Sequence, residues 1–147
     1  MIFREVNLNP WHKKIKEMLE TLNLAIEKEV PEEGLFVVND PSNGIYNLLI
    51  DCEDPVLVLE QLIVQLSPES SMDPEVLKTF LQLNRTLVHG AFTMDESGRS
   101  IVFRDTLQIA NLDLNELEGS VNALSLGLAE HGDTILALSK SNCQGLQ

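Results

Sequence analysis

Positive charge is scarce in this chain: 10 Lys and Arg stand against 23 Asp and Glu, a formal net charge of −13 over 147 residues. A domain so acidic has little with which to neutralise phosphates, so direct binding to nucleic acid or to an anionic membrane is disfavoured. Long apolar runs are missing too. Stretches such as Val56-Leu57-Val58-Leu59 fall far short of the ~20 residues that span a bilayer. The opening Met1-Ile2-Phe3-Arg4-Glu5-Val6 lacks a basic stretch leading into an apolar core. No secretory signal is read there, and the cytoplasm is the expected compartment. The only cysteines, Cys52 and Cys143, lie far apart with no C-x-x-C pair, and in a chain without a signal they are read as reduced thiols. With five Phe, one Tyr and one Trp, the core has to be aliphatic.

Reactive constellations are equally sparse. His12, His89 and His131 are scattered, none with a second His or Cys at ligand spacing, so no metal residue is assigned. Gly119, Gly127 and Gly132 lack the Lys-Ser/Thr that completes a phosphate loop. Ser125-Leu126-Gly127 lacks the leading glycine of a nucleophile elbow. Asp51, Glu53 and Asp54 share one turn, and Asp95-Glu96-Ser97-Gly98 forms another; both are read as solvated acidic loops. The expectation is a non-enzymatic protein with no catalytic residue and no cofactor.

Hydrophobic residues make up 44% and charged residues 22%, an ordinary globular balance. One domain over residues 1–140 is expected, followed by a polar, frayed tail at 141–147. Asn9-Pro10 reads as a cap followed by a helix, with Ile15, Met18, Leu22 and Ala25 at helical spacing and Leu19 and Ile26 widening the stripe. That helix is expected to run for about five turns, to Val30-Pro31. The period then changes to two. Leu35–Val38 and Ile45–Asp51 read as strands around the turn Asp40-Pro41-Ser42-Asn43-Gly44. In the second of them Tyr46, Leu48 and Ile50 share one face. Val56–Leu66 fits either period; it is read as a strand because two hairpin strands alone are marginal.

Asp73-Pro74-Glu75 repeats the cap-then-proline signal, and Val76, Leu77, Phe80, Leu81, Asn84 and Leu87 follow as a helical stripe. Val88–Met94 and Arg99–Ala110 return to strand. Asp113, with Glu116 reaching back, caps a last helix carrying Leu114, Leu117, Val121, Leu124 and Leu128. The fold class is α+β: a five-stranded antiparallel sheet with three helices, in the order α-β-β-β-α-β-β-α.

Two features remain open at this level. Gly119, Ala123 and Gly127 form a small-residue strip on the last helix, suited to close packing inside the domain or across a dimer. The strands at 45–50 and 56–66 are apolar on both sides. Either the helices cover both faces, or one face meets a subunit or stays free for another protein. Exposed strand edges could also receive an extended peptide.

Leu83-Asn84-Arg85-Thr86-Leu87-Val88-His89-Gly90-Ala91-Phe92-Thr93-Met94-Asp95-Glu96-Ser97-Gly98-Arg99 resembles the centre of the type III secretion chaperone-like (Tir-chaperone) family. There, too, a helix ending in Leu-x-x-Asn leads into a strand with small residues and an acidic hairpin. Leu107-x-x-Ala110-x-Leu112-Asp113-x-x-Glu116-Leu117 is similar to that family's junction between strand and last helix. The resemblance implies a small acidic bacterial homodimer that binds an extended segment of a client, effector-like protein without chemistry. It places the client-binding patch at Ile15, Leu19, Leu22, Phe36, Val38, Leu48 and Ile50, and the dimer interface at Val76, Phe80, Leu83 and Leu87. The alternative weighed beside it is an acidic regulatory protein that sequesters a basic or DNA-binding partner.

Overall fold

Residues 7–140 are described by the computed structural model. Helix α1 (His12–Thr21) leads into β1 (Ala25–Val30) and β2 (Leu35–Asp40). After a 3-10 turn at Pro41–Asn43 come β3 (Ile45–Glu53) and β4 (Val56–Gln65). A short helix α2 (Pro68–Ser71) and the longer α3 (Pro74–Leu83) follow, then β5 (Ala91–Met94), β6 (Ser100–Gln108) and α4 (Leu114–Lys140). The strands form one antiparallel sheet in the order β1-β2-β3-β4-β6-β5. The α+β class therefore holds, with six strands where five were expected. The expected tail at 141–147 lies outside the described residues.

The sixth strand comes from the second half of the expected first helix. That helix stops at Thr21 because Asn23 takes a left-handed conformation, φ 59°, which asparagine tolerates better than most side chains. Its N–H donates to the Glu20 carbonyl and the Leu24 N–H donates to the Leu19 carbonyl, the paired bonds of a Schellman cap. Leu24 and Leu19 are both buried in the main core, which supplies the apolar contact such a cap favours. Ile26 then serves the sheet and not the helix, opposite Val38.

The two later helix starts follow their sequence signals. The Asp73 carboxylate accepts from the Glu75 N–H. Asp113 accepts from the Glu116 N–H at 2.9 Å while Glu116 reaches back to the Asp113 N–H. The extra short helix α2 is capped by Ser67, whose hydroxyl accepts from the Ser70 N–H.

All the packing lies on one side of the sheet. Ile15 and Leu19 of α1 and Leu117, Val121 and Leu124 of α4 share a core with Phe36, Val38, Leu48, Ile50, Leu57, Leu59 and Phe103. Val76 and Phe80 of α3 meet Phe92, Ile101 and Ile135 in a second cluster, Phe80 and Phe92 edge to face with centroids 6.1 Å apart. Polar pins fix these helices. His12 stacks on Phe36 at 4.9 Å and Glu29 takes the Lys16 ammonium at 3.0 Å, which ties α1 to the first two strands. The fully buried Ser120 hydroxyl donates to Asp105 at 2.7 Å, which ties α4 to β6.

The small-residue strip of α4 packs within the domain. A Cβ on Gly127 would lie 2.7 Å from the Leu87 side chain, and one on Gly119 would lie 3.3 Å from the His89 ring. Residues 88–90, expected to begin the fourth strand, instead join Leu87 in the loop that fills this strip. Gly90 ends the loop at φ 72°, where a Cβ would meet the Phe103 ring at 2.5 Å, so β5 starts only at Ala91.

Candidate functional site

Alternation along the strands decides which side chains face the helices. Phe36 pairs with Ile50 and Ile50 with Leu59 on the covered side, whereas Val37 pairs with Leu49 and Leu49 with Glu60 on the other. Continuing across, Glu60 pairs with Arg104 and Arg104 with Ala91. A parallel row runs Leu35, Asp51, Val58 and Thr106. A third places Leu62, Val102 and Thr93 together. No helix of the described residues packs on this second side.

The open face is thus an apolar floor with acid groups set into it. Val37, Leu49 and Val102 are half-buried, Val58 is buried by its sheet neighbours, and Leu62 is 59% exposed. Glu60 and Arg104 form an ion pair in the middle. Beside the β5–β6 turn, Glu60, Arg104, Val102, Thr93, Asp95 and Glu96 line a shallow groove of about 590 Å³. Asp51 is the strained member. Partial burial, a hydrogen bond to Glu53 and the charges of Glu53, Glu33 and Glu60 push its carboxyl up to about 6 from 3.8.

Among the described residues no group of three or more His, Cys, Asp or Glu converges to hold a metal ion. Cys52 is a buried free thiol, and burial, with Asp51, Asp54 and Glu53 nearby, pushes it up to about 11. It stays protonated near neutral pH and so is a poor nucleophile. A polar recess of about 330 Å³ lies between the end of α1 and α4, lined by Thr21, Asn23, Asp40, Asn43, Glu118 and Asn122 among others. No helix of the described residues is long and apolar enough to cross a membrane.

The residues assigned by resemblance lie elsewhere. Ile15, Leu19, Phe36, Val38, Leu48 and Ile50 are fully buried, and Leu22 is half-buried beside them. As placed, they build the core and offer no docking surface, because strand parity turns 36, 38, 48 and 50 toward the helices. Val76 and Phe80 are likewise buried, while Leu83 and Leu87 are half-buried against the same cluster. The face grouping expected for β3 also changes at its start. Asn47 sits at φ 51° in an irregular step of the β2–β3 register, so Ile45 and Leu48 both point inward and Tyr46 is 57% exposed. The open-face residues were missed individually; their signal was the apolar character of both sides of β3 and β4.

Comparison with known proteins places this architecture. The crystal structure of YbjN, a putative transcription regulator from E. coli, superposes with a TM-score of 0.61 at 13% identity, covering 86% of this chain and 95% of that one. An uncharacterized protein from Methanothermobacter thermautotrophicus gives a TM-score of 0.56 at 20% identity, covering 87% and 98%. At such identities the likeness is one of fold. No curated protein matches the sequence. The CesT_Tir_1 family model, that of the type III secretion chaperones, matches residues 8–141. The chain therefore belongs to the CesT_Tir_1 family, the type III secretion chaperone family.

Proposed function

We propose that the chain is a non-enzymatic, chaperone-like binding module of the cytoplasm, a homodimer that holds a segment of a client protein on apolar surface. The observation that carries this reading is the one-sided sheet: three helices bury one face and leave the other apolar and open. Family membership supports it, and so does the charge, since a carrier with exposed apolar surface needs mutual repulsion to stay dispersed. For the dimer, Leu87 is the member of the expected interface set that lines a groove of about 450 Å³, beside Val88, Ala123, Leu126 and Gly127. Val88 and Leu126 there are 80% and 65% exposed.

Light scattering tests the reading. The expected mass is twice 16.4 kDa, reduced to one chain by Leu126→Lys, together with binding of an apolar dye. A monomer that binds no such dye overturns it.

A second reading is an acidic regulator that sequesters a basic or DNA-binding partner. It is favoured by the charge distribution: residues 1–29 contain five cations and five anions, so the whole −13 falls on residues 30–147. The fold it shares with a putative transcription regulator points the same way. A steep loss of the complex with added salt would select this reading over apolar client binding.

A further inference from the structure

The uncovered face poses a specific recognition problem, and its chemistry narrows what could cover it. Its floor crosses β2, β3, β4 and β6 through Val37, Leu49, Val58 and Val102. Three interstrand steps at about 4.8 Å make that floor roughly 14 Å wide. A helix of about 12 residues, near 18 Å long, spans it, and a sheet face buries itself against a helical layer as readily as α1 and α4 cover the opposite face.

The charges on this face are unbalanced. Arg104 is engaged by Glu60, which leaves Lys28 on β1, opposite Val37, as the remaining cation of this face among the described residues. Asp51 and Glu53 on β3, Glu33 in the β1–β2 turn, Asp54 in the β3–β4 turn and Asp95 and Glu96 in the β5–β6 turn are the acids on or around it.

Other occupants fit this chemistry poorly. A second copy seated face to face would bring Asp51, Glu53 and Glu33 against their own duplicates in a desolvated layer, and like charges there oppose association. Asp51 already resists ionisation within one chain. Strand addition at the edges is blunted as well. The β1 edge carries Glu27, Lys28 and Glu29 in succession and β5 is only four residues long, both of which discourage edge pairing.

Resting on the reading of the chain as a protein-binding module, we infer that the helix-free face is the docking surface for a basic amphipathic helix. Its apolar side covers Val37, Leu49, Val58 and Val102, and its cationic side meets Asp51, Glu53 and the acidic β5–β6 turn.

The test is a fluorescence-anisotropy titration of the full chain with three labelled peptides of about 14 residues. One has Leu and Lys at helical spacing, one has Leu and Glu in the same pattern, and one has the same Lys count with Ser and Gly in place of Leu. Binding of the Leu/Lys peptide is expected to exceed that of both others by at least about tenfold, and Leu49→Lys is expected to remove a similar factor. Asp51→Asn should weaken it by about two- to threefold at neutral pH. Leu81→Lys, on the exposed side of α3 in the opposite layer, should leave it unchanged. Circular dichroism of each variant separates lost binding from lost folding.

Equal binding of the Leu/Glu peptide, or of the Lys peptide without Leu, overturns the inference. So does insensitivity to Leu49→Lys, loss on Leu81→Lys, or a dimer that Leu49→Lys dissociates. The last two outcomes relocate the client or install a second copy while leaving a protein-binding module intact. If none of these peptides binds, and an array of extended segments of either charge also fails, the module reading falls with the inference.

Discussion

Two leucines on neighbouring strands show how differently the sides of this sheet are used. Leu59 of β4 is fully buried beneath the helical layer, while Leu49 of β3 sits on the open side and is half-buried by its sheet neighbours alone. Both occupy central strands and either could have been read as core. What differs is the layer above. Packing against α1 and α4 surrounds one with apolar atoms, whereas the other keeps water on one side and carboxylates as neighbours. Stability is therefore concentrated in one half of the molecule and surface chemistry in the other.

The sharpest way to break that contrast is to truncate both positions. Leu59→Ala is expected to cost about 3–4 kcal/mol of unfolding free energy, and Leu49→Ala less than about 1 kcal/mol, measured by urea denaturation. Equal losses would mean that the open face is covered. Gly90→Ala follows, at about 2–3 kcal/mol, because a Cβ there combines a left-handed backbone with collision into the Phe103 ring. Asp113→Ala removes the cap that starts α4 and should cost about 1 kcal/mol by the same measurement.

Asp51 sharpens the comparison through pH. Its carboxyl titrates near 6 in the fold against 3.8 unfolded, so the native state binds the proton more tightly and stability falls as pH rises through that window. Asp51→Asn should accordingly raise the melting temperature by about 1–2 °C at pH 7.5 and leave it unchanged below about pH 4. A gain at low pH would contradict crowding of the acids as the cause. Leu62→Ser, on the open side at 59% exposure, should change stability by less than about 0.5 kcal/mol.

Much of the architecture was legible because its signals are local. Asp73-Pro74 and the Asp113–Glu116 box mark helix starts by chemistry that acts within one turn. Alternation along β6 reports half-burial on its own, whereas β3 and β4, apolar on both sides, did not say which side was covered. Errors arose where a single residue overrode a longer pattern. Asn23 closes α1 in a left-handed cap, so Ala25 and Ile26, in phase with the helical stripe, become strand. Asn47 shifts the phase of β3 and exposes Tyr46. Gly90 holds residues 87–89 against α4 and delays β5. One step of phase separates Val38 from Val37 and Leu48 from Leu49, so side chains expected on a client patch lie in the core.

From its residues alone the chain declared its acidity, its aliphatic core, its antiparallel α+β character and an excess of apolar strand surface. The assembled molecule chose which side of the sheet the helices share. Pattern fixes that a strand has two faces, but a helix can settle on either until the strands have paired. Here the side bearing Phe36, Leu57, Leu59 and Phe103 buries the larger apolar area, and the helices close over it. Val37, Leu49 and Val58 are left to face whatever comes from outside.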